Sequence, residues 1–196
     1  MANVQFPFNI SANPGTDLWR KPPSTDDSNA PTRPHSSGPL TSLRSASITF
    51  TSTYSTQFDQ AGIVLTITNP ATKATKWIKS GVEFFSGRPR LSVVCCDTWA
   101  DWSVASISGD GVEEAVVAGK QAVTIRVERD DTTVWIYYVD GQGTKVPLRE
   151  IAWVYGDNGG QGWEVEVGAL VARPNKEVQG ALEATFQALD VEWEKK

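Results

Sequence analysis

Histidine is almost missing from this chain: His35 is the single one among 196 residues. A nucleophile–His–acid triad needs an imidazole as its base, and a histidine-rich zinc site needs several. His35 sits in a proline-rich stretch, so both chemistries are set aside, and neither metal nor cofactor is expected. Cysteine is scarce as well, with only Cys95 and Cys96. Adjacent residues on a strand point to opposite faces, so these thiols do not bridge each other, and two free thiols suit a reducing compartment. Clusters of Lys and Arg are lacking and the formal charge is −5, which removes the phosphate-neutralising chemistry that drives binding to nucleic acid or an anionic membrane. No window approaches the ~20 apolar residues of a membrane span, and Met1 to Gly15 has neither the basic nor the apolar region of an export signal. A cytoplasmic location is expected, with a neutral or cationic partner and with no nucleic acid or membrane among the partners.

Regular structure in the first part of the chain is also little signalled. Of the eleven prolines, Pro7, Pro14, Pro22, Pro23, Pro31, Pro34 and Pro39 fall in the first 39 residues. Residues 13–39 therefore read as a long loop that covers another surface or moves as an arm. From Ser45 onward the pattern changes to short runs rich in Val, Ile, Thr, Trp and Tyr, separated by Gly, Asn, Asp and Pro, the spacing of an all-β protein. The runs predicted as strands are 45–54, 61–68, 76–85, 90–97, 102–107, 122–128, 133–139, 148–155, 163–172 and 184–193. Val178 to Leu189 also contains helix formers, so the last run is open to either element. Ten mostly antiparallel strands imply two packed sheets in a single domain over residues 1–196, a size that folds without disulfide or metal.

Period-2 alternation divides these runs into a core face and an outward face. Ile63, Leu65 and Ile67 face inward, leaving Gln60, Gly62 and Thr66 outward. In the next run Ile78, Val82 and Phe84 oppose Trp77, Lys79, Gly81 and Glu83. Further on, Val123, Ile125 and Val127 oppose Thr124, Arg126 and Glu128, and Val134, Ile136 and Tyr138 oppose Trp135 and Tyr137. The outward set is rich in rings and hydrogen-bonding groups. Sugars need that combination, because their C–H faces stack on Trp and Tyr while their hydroxyls need donors and acceptors. Trp77, Trp135 and Tyr137 are the expected stacking platforms, with Gln60, Lys79, Glu83 and Arg126 as hydrogen-bond partners. Cross-strand Lys–Glu and Arg–Glu pairs also stabilise ordinary sheets, so a half-buried polar network under the proline-rich arm explains the same residues.

Catalytic patterns are weaker. Glu83 with Asp101 or Glu128 forms a candidate glycosidase pair, but nothing in the spacing selects an acid and a nucleophile. Glu164 and Glu166 alternate with Trp163, Val165 and Val167, resembling half of the carboxylate-rich strand of laminarinase-like enzymes, but Gly168 and Ala169 stand where a third carboxylate is needed. Gly156 to Gly162 lacks the Lys-Ser/Thr ending of a phosphate loop and reads as a turn. The Asp residues at strand ends lack the alternating pattern of a dedicated Ca²⁺ loop.

Several ordered motifs carry a family resemblance: Thr16-Asp17-Leu18-Trp19-Arg20-Lys21, Phe58-Asp59-Gln60-Ala61-Gly62, Lys76-Trp77-Ile78-Lys79-Ser80-Gly81-Val82-Glu83, Leu91-Ser92-Val93-Val94, Ala100-Asp101-Trp102-Ser103 and Leu148-Arg149-Glu150-Ile151. In this order, over nearly the whole chain, they resemble the regulation-of-enolase family, a group related to concanavalin A-like lectins and glucanases. The resemblance implies an all-β fold, a concanavalin A-like jelly-roll β-sandwich of two antiparallel sheets, in a cytosolic protein with no attached enzymatic activity. A yeast member linked by name to control of enolase makes enolase an implied partner. It also adds Asp59, Asp101 and Trp102 to the candidate site. Two departures stand out: Phe58 replaces a Tyr common in the family, and Pro22 to Pro34 replaces a segment that commonly carries an aromatic residue and a His.

Taken together, the expectation is a non-catalytic, lectin-like sandwich that binds a carbohydrate or a partner protein on one concave sheet face. Asp59, Gln60, Trp77, Lys79, Glu83, Asp101, Trp102, Arg126, Trp135 and Tyr137 are the predicted ligand-binding residues. The alternatives are a glycan-active hydrolase using Glu83 and a structural module whose polar face is covered by the N-terminal arm.

Overall fold

Alternating sequence becomes strand almost throughout, and a computed structural model describes the result over residues 5–194. The outermost positions of the 1–196 domain lie outside the described residues. In chain order the elements are β1 (Phe8–Ala12), β2 (Leu18–Lys21), β3 (Thr25–Ser28), β4 (Thr32–Pro39), β5 (Leu43–Ser52), β6 (Gln60–Thr68), β7 (Thr75–Phe85), β8 (Arg88–Cys96) and β9 (Ala100–Ser106). They continue with α1 (Val112–Val117), β10 (Val123–Asp130), β11 (Thr133–Val139), β12 (Lys145–Ile151), β13 (Glu164–Ala172) and β14 (Leu182–Trp193). The strands form two six-stranded sheets. Sheet I has the order β1-β14-β5-β10-β11-β12, sheet II the order β4-β13-β6-β7-β8-β9, and every ladder within them is antiparallel. This is the jelly-roll β-sandwich of the concanavalin A-like class.

The core lies between the sheets. Ile48, Phe50, Ile125, Ile136 and Phe186 of sheet I meet Ile63, Leu65, Ile67, Ile78 and Val167 of sheet II, all of them essentially inaccessible to water. Each such side chain contributes roughly 1.5–3 kcal/mol when withdrawn from water, so ordinary apolar burial suffices to hold the sandwich.

Two expectations change, and the run left open between strand and helix resolves as the strand predicted for it. The proline-rich stretch is not a loop but three strands. β2 and β3 form a hairpin with Leu18 opposite Ser28 and Lys21 opposite Thr25, while β4 pairs with β13 at the edge of sheet II. An edge position tolerates Pro34, which has no N–H to give to a ladder, and the register shifts beside it between Val167 and Gly168. The last run is strand, not helix, and β1 pairs with it. Most consequential is the division of the outward faces. Gln60, Trp77, Lys79 and Glu83 belong to sheet II, whereas Arg126, Trp135 and Tyr137 belong to sheet I. Alternation tells which residues share a face of a strand; it carries no information about which sheet that strand joins. The expected single binding face is therefore two faces on opposite sides of the molecule.

Candidate functional site

The outer face of sheet II is built around an unusual close approach. Gly62 of β6 and Gly81 of β7 pair directly, and a Cβ built on Gly81 would lie 1.9 Å from the Ala61 carbonyl oxygen. Only glycine fits there, and the missing side chains leave a trough between Lys79 and Glu83. Over this face lies the β2–β3 hairpin. Leu18 packs against the cluster of Val64, Leu170 and Ala172 and, with Trp19, against that of Trp77, Val94 and Cys96. Backbone bonds from Asn29 and Ala30 to the Asp17 carbonyl close the hairpin base, and Asn29 Oδ1 accepts from the Asp17 N–H at 2.8 Å.

The hairpin leaves a cavity of about 350 Å³ above Lys79 and Glu83. Asp17, Trp19 and Lys21 wall it from the hairpin; Gln60, Lys79, Glu83 and Val94 form its floor; Phe58, Trp102 and Pro174 border it. Phe58 is well exposed, 38% accessible, and adopts a left-handed backbone (φ 70°) while stacking on Phe85 at 6.0 Å. Trp102 meets Phe85 edge-on at 4.9 Å, so the ring beside the cavity is held by its neighbours.

The polar groups are fixed before any ligand arrives. Lys79 Nζ donates to Asp17 Oδ1 at 3.0 Å, which ties the hairpin to the centre of sheet II. Gln60 Nε2 donates to the Phe58 carbonyl at 3.2 Å and reaches Asp17 Oδ1 at 3.5 Å. Glu83 Oε2 accepts from Ser92 Oγ at 2.7 Å and from Trp102 Nε1 at 3.0 Å. Burial pushes the Glu83 carboxyl above its ordinary value, while the Ser92 hydrogen bond, the Lys79 charge and the Trp102 N–H work against that rise. Among the described residues Glu83 Oε1 has no protein donor, so the cavity floor presents an acceptor beside the Lys79 ammonium.

This cavity gathers Gln60, Lys79, Glu83 and Trp102 from the predicted set; the others lie elsewhere. Trp77 is 3% exposed beneath the hairpin and is not among the residues that line this cavity. Asp59 is fully buried: its Oδ2 accepts from the Ser55 and Thr56 backbone N–H groups at 3.2 and 2.9 Å, and its Oδ1 lies 3.7 Å from Arg173 Nε. It shapes the turn that presents Phe58 and does not reach the cavity. Asp101 occupies the opposite face of β9 from Trp102 and binds Arg149 of β12 at 2.7 Å, linking the two sheets along one edge. Arg126 pairs with Glu128 and donates to Ser45 Oγ at 3.1 Å on the outer face of sheet I. There Trp135 and Tyr137 stack at 6.1 Å with Lys145 over the Tyr137 ring. Asp17, Trp19, Lys21 and Phe58 were missed as site residues. The pointers to them were the ordered motifs Thr16 to Lys21 and Phe58 to Gly62, because a prolyl-rich context hides the strand alternation of Leu18 to Lys21.

A second cavity, about 380 Å³, lies on the other side of the hairpin, lined by Leu18, Arg20, Asp26, Thr32, Val64, Thr66 and Trp77 among others. Arg20 and Asp26, opposite each other in the hairpin, pair on its wall at 3.0 Å. Among the described residues no group of three or more His, Cys, Asp or Glu side chains is placed to share a metal ion, and no helix is long and apolar enough to cross a membrane.

A family model described as "Protein of unknown function (DUF1349)" matches residues 4–193. The chain belongs to the DUF1349 family. That description carries no link to enolase. The DUF1349 chain is 34% identical over 186 residues to "Uncharacterized protein AN7484" of Emericella nidulans, covering 94% of this chain and 86% of that protein. In three dimensions it is similar to a functionally unknown protein from Saccharomyces cerevisiae (TM-score 0.72, 19% identity, all of this chain and 96% of that one). It is also similar to the GH43 BlXynB protein from Bacillus licheniformis (TM-score 0.60, 15% identity), spanning 95% of this chain but 32% of that one. An endo-β-galactosidase from Clostridium perfringens shares the fold over 81% of this chain and 39% of its own (TM-score 0.54, 12% identity). The sandwich of this DUF1349 protein thus resembles those of glycan-active enzymes in fold.

Proposed function

We propose that this protein is a non-catalytic, cytoplasmic carbohydrate-binding β-sandwich whose ligand occupies the cavity between the β2–β3 hairpin and sheet II. One observation carries the reading: the rings of Trp19, Trp102 and Phe58 border a cavity of about 350 Å³ whose polar walls are the amide of Gln60, the ammoniums of Lys21 and Lys79 and the carboxyls of Asp17 and Glu83. Rings supply stacking surface for sugar C–H faces, and the polar set supplies donors and acceptors already held in place, which lowers the ordering cost of binding. The hydrolase alternative needs a committed second carboxylate. Asp17 is the one beside Glu83, and it is engaged by Lys79 and by the Leu18 N–H. A protein ligand on the same face, enolase included, is the other rival.

A glycan array followed by calorimetry tests the reading. Wild type is expected to bind at least one glycan without releasing product, and Trp102→Ala to weaken that binding at least tenfold. Trp135→Ala, on the opposite sheet, is expected to leave it unchanged. Turnover that disappears in Glu83→Gln would install the hydrolase instead. Capture of enolase by wild type but not by Trp102→Ala, with no glycan bound, would install the protein partner.

A further inference from the structure

In an open sandwich the outer face of such a sheet is one continuous groove. Here β2 crosses it. Leu18 packs against the cluster of Val64, Leu170 and Ala172, on β6 and β13, and against that of Trp77, Val94 and Cys96, on β7 and β8. Strand alternation then sends neighbouring side chains of β2 to opposite sides. Asp17, Trp19 and Lys21 face the cavity over Glu83, whereas Leu18 and Arg20 face the cavity over Thr66 and Trp77. The hairpin is thus a partition with one pocket on each side, and it is anchored in mid-face by the Lys79–Asp17 ion pair at 3.0 Å, with both side chains largely shielded from water.

Resting on the proposed carbohydrate reading, we infer that the partition makes this protein a reader of glycan chain ends. The Glu83 cavity takes the terminal one or two sugar units, and β2 blocks the path along which the interior of a polysaccharide would lie. Size agrees: about 350 Å³ stands at the small end of the ~300–1,000 Å³ range of small-molecule sites, room for a mono- or disaccharide and not for a threaded chain. Charge agrees as well. Two basic side chains, Lys21 and Lys79, stand against two acidic ones, Asp17 and Glu83, around the cavity, so the ligand is a neutral sugar terminus whose hydroxyls divide between the Lys79 donors and the Glu83 Oε1 acceptor.

The test uses the wild-type chain and a neutral oligosaccharide series, from disaccharide to hexasaccharide, of whichever linkage the array identifies. A matched series has the terminal non-reducing residue fully O-methylated. End recognition gives a Kd that changes less than twofold with chain length and rises at least tenfold on methylation of that residue. Affinity that tightens tenfold or more from di- to hexasaccharide, or that ignores the methyl cap, overturns the chain-end inference while leaving carbohydrate binding standing. Absence of binding to every glycan, or binding unaffected by Trp102→Ala, removes the carbohydrate reading and this inference with it.

Discussion

Single side chains in this protein have roles that exposure decides more than chemistry does. Trp77 and Trp102 both sit on the outer side of sheet II, yet Trp77 is buried under the hairpin and Trp102 borders the cavity. Trp77→Ala is therefore expected to destabilise the fold by about 3–5 kcal/mol, the usual cost of emptying a large aromatic site. Urea unfolding measures this, and a loss below 1 kcal/mol would show that the ring is not packed as described. Glu83 makes a pH-dependent prediction. Its folded-state value is raised, mainly by burial, above the ordinary 4.5, so the folded protein holds the proton more tightly than the unfolded chain does. The stability that goes with this is complete below about pH 4.5 and is lost as pH rises through the elevated folded value. Glu83→Gln does not titrate, so melting temperatures of variant and wild type are expected to diverge in the variant's favour between pH 4 and neutrality. A pH-independent difference would contradict the burial argument.

At the scale of elements, the Gly62–Gly81 pair sets how tightly β6 and β7 approach. Gly81→Ala places a methyl 1.9 Å from the Ala61 carbonyl, and neither strand yields without breaking its ladder, so a loss of at least about 3 kcal/mol is expected in denaturant titration. This position also shows what was legible beforehand. Inward residues such as Ile63, Leu65, Ile78, Ile125 and Ile136 followed directly from period-2 alternation, because one buried face leaves a strong imprint on a strand. The membership of strands in sheets did not, since Arg126 and Lys79 alternate in the same manner on opposite sheets. The hairpin was hidden for another reason: Pro22 and Pro23 at its tip and Pro31 and Pro34 behind it resemble the composition of a loop, while each of its two strands is only four residues long. The three residues it lends to the cavity wall, Asp17, Trp19 and Lys21, went unseen with it.

For the molecule as a whole, the two thiols report on global opening. Cys95 belongs to the inter-sheet core and Cys96 to the cluster under the hairpin; they lie on opposite faces of β8, both are buried, and burial pushes both thiols up. A thiol reagent is expected to label neither in the native protein and both in denaturant, with labelling that follows the unfolding curve. Fast labelling of one cysteine below the transition would instead indicate that the hairpin lifts by itself.

The closed base of that hairpin has a further meaning for how such a protein diversifies. Asp17 and Asn29 are held together by their own hydrogen bonds, so everything from Leu18 to Ser28 leaves the sandwich and returns to it at a single point. The segment is in effect a cassette. Its exposed tip, Lys21 to Ser24, is free to change in length and sequence without shifting a strand of either sheet, whereas Leu18 and Trp19 are tied to the clusters they cover, so the rim of the cavity can be rewritten at one junction while the scaffold beneath stays as it is.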